Sequence, residues 1–388
     1  MSKYNFDAVI ERRGTNSLKY DYMREMGKPV DVLPMWVADM DFSAPIEIID
    51  DINKAIAHGI FGYTVPKDEY NEAVAGWFYS RYGYKAENRD IIKAPGVVFA
   101  LVQAVRALTE PGDAVIIQTP VYYPFYDIIR NNGRELVQNP LICENGVYSI
   151  DFVDFERKIA ENNVKLFILC SPHNPIGRVW TRGELERLLG ICASHGVIVV
   201  SDEIHCDFVW PGYEHTCFGL LDDNAIIVTA PSKTFNLAGI QISNIFVKNS
   251  DLREKLKAEI GKTGIAQLSM VSFVACQSAY TKGGEWLDEL KTYLLGNIRF
   301  LSEFLTERLP RIRFVPPEGT YLMWLDFSDY GLTQDELDRH ITQEAKLWLS
   351  TGTMFGADGE GFQRMNIACR RDTLEEALDR LERSMKSR

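Results

Sequence analysis

Apolar positions follow two rhythms along this chain. The first is helical. In Pro45-Ile-Glu-Ile-Ile-Asp-Asp-Ile-Asn-Lys-Ala-Ile-Ala-His58 the spacing predicts a helix that Ser43 caps, Pro45 opens and Gly59 ends. A second helix is predicted over 66–82, closed by Gly83. The second rhythm begins near residue 97, where short unbroken apolar runs alternate with helical patterns. The runs at 114–118, 135–138, 164–170, 197–201, 225–229 and 242–247 read as strands, and 97–108, 124–131, 152–162 and 182–195 as helices. Unbroken Val/Ile runs are strands buried on both faces, and helices between them mean a mostly parallel sheet. After about residue 280 a long helix (about 284–309) leads into strand–helix–strand segments that include 321–327 and 365–368. This order predicts a large α/β domain over 44–280. Residues 1–43 join 281–388 in a smaller α+β domain.

Composition narrows the class. The chain has 388 residues, 46% of them apolar and 25% charged, which excludes a disordered chain. A net charge of −12 without a basic tract argues against nucleic acid or an anionic membrane as the main partner. The apolar runs are strand-length, far short of the roughly 20 residues that span a bilayer. The opening Met-Ser-Lys-Tyr-Asn-Phe-Asp lacks the apolar core of a signal peptide. Seven scattered cysteines, none spaced Cys-x-x-Cys, suggest a reduced cytoplasmic chain with neither a disulfide framework nor a zinc site. The six histidines lack metal-ligand spacing, so no metal is expected. Gly261-Lys262-Thr263 resembles the end of a phosphate-binding loop, but Leu256 stands where that loop needs glycine. Residues 356–361 lack the Gly-x-Gly-x-x-Gly spacing of a dinucleotide site.

Ligands of open α/β sheets bind beyond the carboxyl ends of the strands. Three such ends carry distinctive polar residues: Asp202 after 197–201, Lys233 after 225–229, and Asn174 in the turn Pro172-His-Asn-Pro-Ile-Gly177. Singly, each has an ordinary explanation: a cap or surface acid, a solvated lysine, a turn asparagine. Together they differ. A lysine able to form a Schiff base, with an acid to hold a pyridinium nitrogen, is what pyridoxal phosphate requires, and Asn174 can donate to the ring oxygen.

Six segments carry a wider resemblance: Leu33-Pro-Met-Trp-Val-Ala-Asp-Met-Asp-Phe42, Phe61-Gly-Tyr-Thr64, Pro172-His-Asn-Pro-Ile-Gly-Arg-Val-Trp180, Ser201-Asp-Glu-Ile-His-Cys206, Ser232-Lys-Thr-Phe-Asn-Leu-Ala-Gly239 and Arg364-Met-Asn-Ile-Ala-Cys369. Over nearly its whole length the chain resembles the fold-type I pyridoxal phosphate enzymes of the class I/II aminotransferase superfamily. Within them it is similar to the MalY/PatB-type cystathionine β-lyases. The resemblance implies a mostly parallel seven-stranded sheet in the large domain, with a smaller α+β domain beside it. It implies that Lys233 carries the cofactor and shuttles the Cα proton, and that Asp202 pairs with the pyridinium nitrogen. Asn174 would contact the phenolic oxygen, and Tyr122 would stack on the ring. Gly96, Val97 and Val98, at a helix start, would bind the phosphate with Ser232. Tyr63 would reach a partner subunit's site, which implies a homodimer with shared active sites.

By the same resemblance Arg364 clamps the substrate carboxylate through two parallel hydrogen bonds, with backbone near Ala38 and Asp39 completing that site. His205 stands where aspartate aminotransferases have a tyrosine near the ring oxygen. Ala230 and Gln241 replace their phosphate-binding serine and arginine, and the lyase subgroup shares these changes. The expected reaction is β-elimination from L-cystathionine or related S-substituted cysteines. An aminotransferase for aromatic or other large amino acids, and a regulatory protein that binds the cofactor, are the alternatives. Some members of the subgroup also contact transcription regulators.

Overall fold

A computed structural model of the chain describes residues 3–386. Its central sheet has seven strands in the order Ile91–Ala94, Ser243–Val247, Ile226–Thr229, Ile198–Asp202, Leu166–Cys170, Ala114–Thr119 and Glu135–Pro140. All six apolar runs read as strands in the sequence are in it. Ser243–Val247 runs antiparallel to both neighbours, while the remaining adjacent pairs are parallel. Ile91–Ala94 was not expected from the pattern. It is four residues long, interrupted by Lys93, and lies at the sheet edge.

Successive side chains of a strand point to opposite faces, and both faces here are covered. Ile117, Ile168, Val200, Val228 and Ile245 pack with helices Val97–Leu108, Pro124–Arg130 and Ser250–Gly261. Their neighbours Ile116, Phe167, Val199, Ile227 and Phe246 pack with Asp68–Tyr82, Arg182–His195 and Met270–Lys282. The last of these escaped the helical pattern because its buried residues (Ser272, Phe273, Ala275, Cys276, Ser278, Ala279, Tyr280) surround the axis instead of forming a stripe.

Helix Ile46–Ile56 forms where predicted. Its N-cap is Pro45, however, and the Ser43 hydroxyl donates to the Ala44 carbonyl at 3.1 Å instead of capping the helix. Proline's fixed φ starts the helix without a side-chain cap.

A second, antiparallel sheet runs Arg313–Phe314, Leu322–Asp326, Phe362–Asn366, Ser350–Thr351. Helices Gly284–Arg308 and Arg371–Met385 accompany it. Its strand Phe362–Asn366 begins before the 365–368 segment expected, because the polar residues Gln363 and Arg364 are themselves buried. The N-terminal segment joins this part of the chain: Leu33–Pro34 pairs in parallel with Leu347–Trp348, and the Trp36 and Trp348 rings stack at 4.2 Å. Among the described residues, no helix is long and apolar enough to cross a membrane.

Candidate active site

The three polar strand ends converge because their strands are neighbours. Cys170 is opposite Asp202 in the sheet, and Asp202 is opposite Val228. Past Thr229 the chain turns at Ala230 into a one-turn helix, Pro231–Thr234, which carries Lys233. Asn174, Asp202 and Lys233 therefore line one cavity of about 200 Å³. Ala38, Gly96, Val97, Val98, Tyr122, His205 and Ser232 line it too. Tyr63 does not. It is 99% exposed, on the irregular stretch after helix Ile46–Ile56. Asp39 is not part of the cavity wall; its carboxylate pairs with Arg12 at 2.6 Å, and Asn366 holds its backbone carbonyl at 2.6 Å.

The electrostatics follow from burial. Asp202 is buried, accepts a hydrogen bond from the Ile204 amide at 3.1 Å, and is pushed up to about 7 by loss of solvent. Among the described residues no cation pairs with it at ion-pair distance. Lys233 donates to the Ala38 carbonyl at 2.8 Å, and desolvation, with Arg364 adding to it, pushes its amine down to about 8. Arg364 is buried too. It donates to Asn174 Oδ1 at 3.0 Å, the Trp36 carbonyl at 2.8 Å and Ser350 Oγ at 3.2 Å, while its Nε has no partner among the described residues. Burial holds His205 well below the usual imidazole range, so it is neutral at pH 7, and its Nδ1 is unpartnered.

These features fit pyridoxal phosphate. A buried acid without an internal cation suits a pyridinium nitrogen. His205, with an unpartnered nitrogen, lines the cavity with the lysine; Arg364 is not part of the lining but is bonded to Asn174, which is. Helix Val97–Leu108 starts at Gly96, which supplies no capping side chain, so its amides and dipole remain available to an anion. Gly96 has φ +94°, and a Cβ there would come within 3.4 Å of Gln241 Oε1.

Several contributors were not picked out from the sequence. The Trp36 carbonyl and Ser350 hold Arg364, and the Phe355 ring lies 4.7 Å from its guanidinium. Tyr321 donates to the Ala38 carbonyl at 3.2 Å. Cys170 accepts from the Asn174 amide at 3.4 Å. Trp36 and Asn236, the latter donating to the Met40 and Phe42 carbonyls, lay inside quoted motifs without being assigned a role.

The lowered Lys233 amine has a direct test. A neutral amine is the nucleophile, so acylation in cofactor-free protein should rise through a midpoint near pH 8, as read by peptide mapping. Exposed lysines should rise only near pH ~10.4. A Lys233 profile that tracked the exposed lysines would contradict this assignment.

Comparison with known proteins places the geometry. Residues 30–381 match the family model "Aminotransferase class I and II". The chain is 46% identical to cystathionine beta-lyase PatB of Bacillus subtilis, over 98% of this chain and 100% of that protein. It is 32% identical to protein MalY of Escherichia coli, over 97% of each. Cystalysin from Treponema denticola, solved with a pyridoxal 5′-phosphate cofactor, superposes with a TM-score of 0.95 at 38% identity, covering 99% of both chains. With its seven-stranded sheet and lysine-bearing turn, the chain belongs to the class I and II aminotransferase family, of fold type I, among relatives that include the cystathionine beta-lyase PatB.

Proposed function

We propose that this chain is a pyridoxal phosphate-dependent C–S β-lyase that cleaves L-cystathionine or related S-substituted L-cysteines to a thiol, pyruvate and ammonia. The observation that carries the reading is the meeting of Lys233, Asp202 and Asn174 in one cavity, with Arg364 bonded to Asn174. The relatives support it. PatB is a cystathionine beta-lyase by name, and cystalysin contains the cofactor.

The cofactor, when bound, supplies an aldehyde for amine exchange and an electron sink for the Cα–H bond. The chain's residues do the rest. Lys233 gives the covalent link and then moves the Cα proton, a task its amine near 8 suits at neutral pH. Asp202 holds the ring nitrogen's proton; a cation opposite lowers the carboxyl again, so the pair forms as an ion pair. Arg364 occupies Asn174 Oδ1, which leaves the Asn174 amide N–H to donate to the ring oxygen. Neutral His205 lies nearby without adding charge. Tyr122 would cover the ring face, and the amides of Val97 and Val98 with Ser232 would hold the phosphate at Gly96, whose own amide is engaged by the Ala94 carbonyl. Arg364 takes the substrate carboxylate beside Ala38. No arginine lines the cavity itself among the described residues; Arg364 lies behind Asn174, and the absence of another disfavours substrates with a side-chain carboxylate.

The proposal extends to assembly. Ile60, Phe61, Tyr63 and Val65 are more than two-thirds exposed and contiguous, a patch typical of an interface. They support a homodimer in which Tyr63 completes the partner's site. We assign residues 44–280 to a large domain and 1–43 with 281–388 to a small one, in a cytoplasmic enzyme.

The test is purified holoenzyme with cystathionine and no keto acid. Sustained release of pyruvate and free thiol is expected. A single turnover that restarts only with a keto acid would mean an aminotransferase, and no turnover with cofactor retained would mean a binding role.

A further inference from the structure

Behind the cavity one buried carboxyl joins three chain segments. Asp207 ends the turn 204–207 that carries His205 and follows the strand ending at Asp202, and it is almost wholly buried. Its Oδ1 accepts from Trp77 Nε1 at 3.1 Å and from the Tyr82 hydroxyl at 2.5 Å, both on helix Asp68–Tyr82. Its Oδ2 accepts from the Thr234 hydroxyl at 2.7 Å. Thr234 ends the one-turn helix and is the residue after Lys233.

A single helical turn has almost no stability of its own, so its place must be set from outside. Asn236 ties this turn to the Met40 and Phe42 carbonyls, and the Lys233 amine ties it to Ala38. The last tie uses the same nitrogen that takes the cofactor, so it cannot be relied on to place the turn while the amine is engaged there. The Thr234–Asp207 bond is independent of the amine, and it joins the turn bearing the lysine to the turn bearing Asp202.

We propose that Asp207, acting through the Thr234 hydroxyl, is a positioning residue that sets the Lys233 amine relative to Asp202. The inference rests on the reading of Lys233 as the cofactor lysine. Losing the tie leaves the amine chemically intact and misplaced, and a misplacement of about 1 Å costs up to about 10²-fold in rate.

The experiment compares wild type with Thr234→Val, Thr234→Ser and Trp77→Phe. Trp77→Phe removes a donor from the other oxygen of the same carboxyl, Oδ1, and leaves the Thr234 tie to Oδ2 uncut. The readouts are kcat and KM on cystathionine, Tm, and the rate at which cofactor-free protein given pyridoxal phosphate yields a borohydride-trapped adduct at Lys233 by mass spectrometry. Thr234→Val should lower kcat about 10- to 100-fold with little change in KM, and slow trapping about 10-fold. Thr234→Ser should restore both, and Trp77→Phe should lower Tm while leaving both near wild type. Wild-type trapping and kcat in Thr234→Val would overturn the proposal. Losses in Thr234→Val and Trp77→Phe that simply scale with Tm would overturn it too, since they would mark the carboxyl as packing alone. Should Thr234→Val not fold, Thr234→Ala cuts the same bond and is read the same way. Absence of a trapped adduct in wild type would sink the cofactor reading itself, and this inference with it.

Discussion

Lys233→Ala is expected to abolish the β-lyase reaction, with kcat/KM on cystathionine falling at least about 10⁴-fold. Two functions disappear together: the amine that holds the cofactor covalently and the base that moves the Cα proton. No other amine lines the cavity to replace it among the described residues. The fold should survive, because among the described residues the side chain gives up a single hydrogen bond, the one to the Ala38 carbonyl. Pyruvate release measured beside a Tm scan checks both halves. A small primary amine added to the variant should return part of the activity, whereas no added base could rescue a misfolded site. A variant retaining more than a few per cent of wild-type turnover would remove Lys233 from its assigned role.

Arg364→Lys should be nearly as damaging although it keeps the charge. The guanidinium reaches Asn174, the Trp36 carbonyl and Ser350 at once, lies over the Phe355 ring, and still has Nε unpartnered. An ammonium is a compact point charge and cannot reproduce that fork. Two losses follow. The substrate carboxylate is no longer gripped by two parallel bonds, and Asn174 Oδ1 loses the donor that aims its amide. A fall of about 10²- to 10³-fold in kcat/KM is expected, roughly 3–4 kcal/mol of transition-state stabilisation. KM should rise and kcat fall together, because the same clamp binds the substrate and orients its Cα–H bond. Steady-state kinetics decide the matter, and values within threefold of wild type would exclude Arg364 from substrate binding.

Individual elements show how far the linear chain could be read. Every central strand given by an unbroken apolar run lies in the seven-stranded sheet, since burial on both faces leaves a local mark. Ile91–Ala94 leaves none: an edge strand is held by its partner Ser243–Val247, not by its own pattern. Helix Met270–Lys282 has no polar stripe because its surroundings bury it, and those surroundings are helices more than 180 residues earlier in the chain. The Ser43 cap failed because Pro45 already sets the helix start.

The candidate site divides in the same way. Lys233, Asp202 and Asn174 could be named from the chain alone, because each ends a recognisable strand and the chemistry demands those residue types. Their partners could not. Ser350, Phe355 and Tyr321 reach the site from segments far along the chain and nothing local announces them, while Trp36 stood in a quoted motif without a role. Asp207 carries no signal of its own in the sequence, and its three donors, Trp77, Tyr82 and Thr234, come from two distant segments. Local burial and strand-end chemistry are written in short stretches of residues, so the linear chain carried the sheet and the reacting groups. Hydrogen-bond partners, desolvation and the lowered lysine amine arise from which distant segments pack together, so they came into view only in the folded molecule.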